Sequence, residues 1–308
     1  MATVALATCR ELPHLDADEA PLVRALAARG ITPAAIPWDA GDEAFFAQPL
    51  TVIRSTWDYT ERVDAFVAWA ARIEAQGRIY NKASVVRWNT HKRYLLELEK
   101  EGHAIVPTLL LAKSARVDVA ATLAERGWTR GAVVKPAVSA GSRDTVRVGA
   151  LGSGAGAKGA RASTSGDEFD GTGDGLAAAQ ALVDALVPER DMLVQPFVDG
   201  VAGGELSLIY VDGGFTHAVN KVPVAGDFRS QPEFGSRVER VDPPAAARRA
   251  ADDILRTVGG ELLYARADFV IDHGRPLLME LELVEPSLYF AFHDAAADAL
   301  AQAIARRL

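Results

Sequence analysis

Arg266-Ala-Asp268-Phe-Val-Ile-Asp272, then His273-Gly274-Arg275, then Pro276-Leu-Leu-Met-Glu280-Leu-Glu282, reads as two strands joined at a glycine turn. A three-residue loop, 273 to 275, sets Asp268 opposite Glu280 and Arg266 opposite Glu282. All four then share one face of the pleat. Carboxylates facing one another across a sheet repel, and only Arg266 offsets them. A hard divalent cation, which takes oxygen ligands and bridges carboxylates to phosphates, makes such a face favourable. The plainer alternative is a solvated outer face whose acids never converge.

Outward from this hairpin, the chain has the size and composition of a multidomain globular protein. Its 308 residues are 49% hydrophobic and 24% charged, enough for a large core and more than one domain. A net charge of −8 provides no global basic field for nucleic acid. The single cysteine, Cys9, allows no internal disulfide and fits a cytoplasmic address. No run of 18 apolar residues marks a membrane span, so no membrane partner is expected. A homodimer is compatible with the sequence.

Strand and helix alternate at the start: Thr3 to Thr8, a helix bearing Leu22, Ala25 and Leu26 up to Gly30, a strand near Ile31, the run Leu50 to Arg54, then Val63, Phe66, Val67, Ala70 and Ile73 at helical spacing. That alternation predicts a doubly wound parallel sheet over residues 1–105, with ligands met at the carboxyl ends of the strands. After Pro107 the pattern turns strand-rich and predicts an α+β body, divided at residues 106–197 and 198–308. Between Gly149 and Gly175, 27 residues hold nine of the 26 glycines, and a loop is expected there. Gly154-Ala-Gly156-Ala-Lys158-Gly159 within it matches a dinucleotide motif in letters but lacks the helix and second strand that motif needs; a nicotinamide oxidoreductase is the reading it would support.

Lys135 closes an apolar strand and precedes Ser139-Ala-Gly141-Ser142, a small-residue loop able to wrap phosphate oxygens with backbone N–H groups. Lys92 stands at a helix start, and Lys221 with Gly226-Asp227-Phe228-Arg229 adds a second basic pair. In order, these pieces resemble the ATP-grasp superfamily, especially its glutathione-synthetase-like and ribosomal-S6-modification-like ligases, over residues 80–290. The resemblance implies an ATP-grasp fold: an N-terminal pre-ATP-grasp domain, a small central lid domain and a C-terminal ATP-binding domain. It implies ATP and magnesium as cofactors, with Lys92, Lys135, Ser139, Gly141 and Ser142 at the phosphates. It further implies Gln195, Phe197 and Val198 at the adenine, Glu205 at the ribose, Lys221 and Arg229 as catalytic groups, and Asp268, Glu280 and Glu282 as metal ligands. The family's usual Glu-x-Asn is Glu280-x-Glu282 here, and Pro286 stands four residues after Glu282 instead of three; Glu285 is an alternative ligand.

Arg54-Ser55-Thr56-Trp57-Asp58-Tyr59, Val86-Arg-Trp88-Asn-Thr-His-Lys92 and Glu285-Pro-Ser-Leu-Tyr289 resemble the smaller group containing the cycloserine-forming O-ureidoserine cyclase. An amino-acid-like substrate is implied, met by residues 54–59 and Asp16; the plain alternative is that Trp57 fills a domain seam and Asp58 caps a turn. The reaction expected is phosphorylation of a small substrate followed by C–N bond formation, within one molecule or between two. A nucleotide-binding module without turnover is the other reading. If the glycine-rich loop is part of a lid, deleting residues 149–175 changes turnover or nucleotide affinity, which phosphate release and calorimetry measure.

Overall fold

Four parallel strands open the chain: β1 (Ala2–Thr8), β2 (Ile31–Pro37), β3 (Thr51–Ser55) and β4 (Ile79–Tyr80), in the order β2-β1-β3-β4. The computed structural model describes residues 2–149, 175–224 and 235–308, so the glycine-rich stretch and Arg229 lie outside the described residues. Both faces of this sheet are covered, as parallel sheets require. On one side Val4, Leu6 and Val52 meet Leu22 and Leu26 of α1 (Ala20–Ala28). On the other, Ala5, Ala7 and Ile53 meet α2 (Asp42–Phe46), α3 (Val63–Gln76) and α4 (Ala83–Asn89) through Phe45, Phe66, Trp69 and Val86. Gly30, with φ of 71°, ends the α1 segment in the left-handed region, and Asp16 caps the short 3₁₀ turn before α1 by accepting from the Asp18 N–H.

The next helix, α5 (Tyr94–Lys100), leaves this unit. Its Tyr94, Leu95 and Leu98 pack beneath a different sheet. A smaller antiparallel sheet follows, of β5 (Leu109–Leu111), β6 (Ala132–Pro136), β7 (Val146–Val148) and β8 (Met192–Pro196), ordered β5-β8-β6-β7 and backed by α6 (Val119–Glu125) and α7 (Gly175–Leu186). Residues 197–204 then carry the chain into a five-stranded antiparallel sheet, β11-β10-β9-β12-β13. Its members are β9 (Glu205–Val211), β10 (Gly214–Val222), β11 (Arg237–Val241), β12 (Tyr264–Asp272) and β13 (Arg275–Glu282). Leu206, Leu208, Ala267 and Phe269 face α5 and α8 (Ala245–Val258). The opposite face is divided: Ile209, Val211 and Val219 join the core around α1 and α9 (Asp294–Ala305), while Glu205, Ser207, Lys221, Arg266 and Asp268 form its charged end.

The hairpin pairs Asp268 with Glu280 and Arg266 with Glu282, by a different route from the three-residue loop. Asp272 pairs with Arg275, so the turn is the two residues His273 and Gly274, whose φ values of 48° and 78° suit the tight hairpin turn that follows strand twist. That shorter turn alone would have slipped the acids by one. A bulge at Met279, between the pairs Phe269–Leu278 and Asp268–Glu280, restores the register.

Long-range polar contacts tie the first sheet to the hairpin. Tyr264 Oη donates to the carbonyls of Ile53 (2.7 Å) and Val284 (2.8 Å), and Asn89 brackets β13 by donating to Leu281 O and accepting from Leu283 N. Arg54, 1% exposed, donates to Glu19 through Nε (2.9 Å) and Nη2 (2.6 Å) and to Pro286 O (2.8 Å). Among the described residues, no helix is long and apolar enough to cross a membrane. Removing one partner of a buried ion pair strands the other, so Arg54→Ala is expected to cost about 3–5 kcal/mol, and the double change Arg54→Met with Glu19→Met to regain most of it; urea denaturation measures both.

Candidate active site

A cavity of about 1050 Å³ lies between the two antiparallel sheets, with the first sheet's strand ends at one side. Alternation along β12 and β13 aims Asp268, Glu280 and Glu282 into it, and β6 and β8 bring Lys135 and Gln195. Also on its walls are Asp16, Trp57, Tyr59, Lys92, Ser139, Gly141, Ser142, Phe197, Val198, Glu205 and Lys221. These residues, scattered over more than 260 positions of chain, thus share one space.

Charge is balanced pair by pair. Lys92 Nζ sits 3.0 Å from Glu280 Oε1 and donates to Ser139 O at 2.6 Å, tying the small-residue loop to the hairpin. Asp268, 1% exposed, accepts from Ser207 Oγ (2.6 Å) and from Arg266 Nε and Nη2 (3.0 and 2.9 Å), with Lys221 Nζ 3.9 Å away. Arg266 also donates to Glu282, and Lys221 to Glu205, its cross-strand partner. Burial pushes Asp268, Glu280 and Glu282 toward the neutral form, and the cations beside them decide the outcome. Arg266 and Lys221 bring Asp268 down to about 2, and Lys92 and Lys135 hold Glu280 below its ordinary value. Burial, aided by Glu280 and Asp268, defeats Arg266 at Glu282, which is lifted to about 8; burial, aided by Glu280, likewise defeats the more distant Lys92 at Glu285, which is lifted to about 7. Burial and Lys92 lower Lys135.

The donor set fits a hard cation in kind: oxygen ligands facing one another beside lysines. Among the described residues no three acids, histidines or cysteines already form a cage, and Glu282 is engaged by Arg266. Magnesium needs no such cage, since it uses one or two carboxylates and completes its shell with phosphates and water.

The N-terminal signature is only partly in the cavity. Arg54, Ser55, Thr56 and Asp58 do not line it. Arg54 is consumed by Glu19, Ser55 Oγ accepts from Asp16 N, Thr56 is fully buried, and Asp58 accepts from Trp38 Nε1 (2.8 Å) and pairs with Arg62. Trp57 does line it, and donates to Glu285 O at 3.2 Å. Sequence reasoning gave no site role to Asn89, Ser287 or Tyr289, all on the walls; single polar residues at a helix end or on a loop carry no periodic signal.

Fold and cavity together are those of a two-substrate, nucleotide-sized site, and comparison with known proteins assigns the chain to the ATP-dependent ligases. Residues 4–81 match the family described as D-cycloserine synthetase DcsG, N-terminal domain. Across 325 aligned positions, covering 100% of this chain and 99% of the relative, the chain is 30% identical to the cycloserine biosynthesis protein DcsG of Streptomyces lavendulae. The crystal structure of D-cycloserine synthetase DcsG superposes with a TM-score of 0.80 at 26% identity, covering 99% of each chain. The D-alanine–D-alanine ligase of Bacillus anthracis complexed with ATP has the same fold, with a TM-score of 0.67 at 13% identity over 100% of this chain and 97% of that one. The chain belongs to the ATP-grasp superfamily, in its cycloserine-related group.

Beneath the loop that carries Glu285 to Tyr289 lies His217, whose ring is 5.2 Å from that of His293. Burial, His293 and Arg240 press His217 down to about 4 from an ordinary 6.5. The unfolded chain therefore takes up this proton first as pH falls, so the contribution is full above about pH 6.5 and lost toward pH 4. Thermal midpoints taken from pH 7 to 4.5 are expected to fall less steeply for His217→Asn than for the native chain.

Proposed function

We propose that this enzyme uses magnesium-bound ATP to phosphorylate a small amino-acid-like substrate and then forms a C–N bond, in the manner of carboxylate–amine ligases. The observation that carries this reading is the facing pair Asp268 and Glu280 on the wall of a cavity that also holds Lys92 and Lys135. Asp268 and Glu280 would hold magnesium, which would supply positive charge against the triphosphate. Lys92 and Lys135 take up the remaining phosphate oxygens, and the loop at Ser139, Gly141 and Ser142 closes over them. Gln195, Phe197 and Val198, at the crossing from one sheet to the other, receive the base, and Glu205 the ribose. Lys221, kept charged by Asp268 and Glu205 despite burial, steadies the transferring phosphoryl group, and Arg229 is assigned to the same task by resemblance. Catalysis of this kind is chiefly positioning and electrostatics.

A second reading is favoured by the full-length likeness to DcsG: cyclisation of an O-ureidoserine-like substrate to cycloserine, in which a ureido nitrogen attacks the acyl phosphate carbon of the same molecule, phosphate leaves, and hydrolysis releases the carbamoyl group as carbon dioxide and ammonia. Product analysis separates the two, since a cyclase consumes ATP with a single substrate and a ligase needs a second amine.

A phosphate-release screen of amino acids, dipeptides and ureido compounds with ATP and magnesium identifies the substrate. With that substrate, Asp268→Asn or Glu280→Gln is expected to lower turnover about 100-fold or more while circular dichroism stays native. Unchanged phosphate release would refute the metal assignment.

A further inference from the structure

The acids around the cavity differ in one respect. Glu205, Asp268, Glu280 and Glu282 each have a lysine or arginine, and Asp18 accepts from Leu288 N. Glu285 has no such close contact, and Lys92 and Arg266 act on it only from beyond ion-pair distance. It is 8% exposed, lines the cavity, and among the described residues its carboxylate has no cation within ion-pair distance and no hydrogen bond from another residue. A buried carboxylate without a counter-charge is costly unless it is neutralised or a ligand brings the charge.

Its position is also firmly held. Trp57 Nε1 donates to Glu285 O (3.2 Å), Arg54 Nη2 to Pro286 O (2.8 Å) and Arg266 Nη1 to Ser287 O (3.1 Å), while Leu288 N donates to Asp18 Oδ2 (3.0 Å). Four consecutive residues are thus pinned from four elements, so Glu285 is preorganised to receive a partner.

We propose that Glu285 is the counter-charge for a protonated amine on the small substrate, making the site selective for amine-bearing molecules over their counterparts lacking the amine. This rests on the ATP-dependent reading above, taken with the O-ureidoserine-like substrate of its second form, which places the phosphates among the lysines and leaves the loop at Glu285 for the substrate. Arg54 and Trp57 then serve as positioning residues that hold the Glu285 loop.

The test is calorimetric titration of the full chain, preloaded with magnesium and a non-hydrolysable ATP analogue. The probes are each enantiomer of O-ureidoserine and 3-(ureidooxy)propanoate, which lacks the amine. The native chain is expected to bind one enantiomer about 10- to 100-fold more tightly than the desamino probe, the span of one charge-assisted hydrogen bond. In Glu285→Gln, a neutral isostere, that preference disappears while affinity for the magnesium–nucleotide complex and the melting curve without substrate stay native. Retained preference in the variant, no preference or no amine binding in the native chain, or weakened nucleotide binding in Glu285→Gln overturns the proposal. Asp268→Asn in parallel isolates the underlying reading: if it binds nucleotide and magnesium as the native chain does, the ATP-dependent reading itself fails.

Discussion

Placing carboxylates opposite one another on buried strands is the constraint around which this molecule is arranged. Asp268 and Glu280 face each other across β12 and β13, and repulsion there has to be met from outside the hairpin. Lys221 comes from β10, Lys92 from the segment before α5, and Arg266 from two residues earlier on the same strand. Each cation also touches a further part of the site: Lys221 meets Glu205, Lys92 meets Ser139, and Arg266 meets Glu282 and Ser287. One electrostatic problem thus ties together the five-stranded sheet, the small-residue loop and the segment following β13.

The cations at the two ends of the cavity are used differently. Around Asp268 and Glu280 they outweigh burial and keep both acids ionised. Toward Glu282 and Glu285 burial wins, and those carboxyls are drawn to the neutral form. In the function proposed here a triphosphate with its metal would take the first environment and a cationic substrate group the second, which would orient the two reactants within one cavity.

Much of this arrangement was legible beforehand because strand periodicity is short-ranged. Alternation set Asp268, Glu280, Arg266 and Glu282 on one face whether the turn held two residues or three, provided a bulge followed the shorter turn. Turn length and bulge compensate, and residue types alone do not separate the two routes. The order of lysines, small-residue loop and acids likewise pointed to the superfamily. Arg54 and Asp58 were the opposite case: a charged signature at a strand end suits substrate binding equally well as it suits structure. Arg54 is taken by Glu19, 35 residues away, and by Pro286, 232 residues away. No spacing rule reaches that far.

The amino-acid sequence by itself determined the parallel opening sheet, the antiparallel hairpin and which face of it carries charge, because these follow from side-chain periodicity and local turn chemistry. Tertiary structure alone decided which charges are neutralised and which are left without a partner. Burial and pairing depend on elements hundreds of residues apart, and the same glutamate is an ordinary surface acid or a site for a cation according to what folds against it.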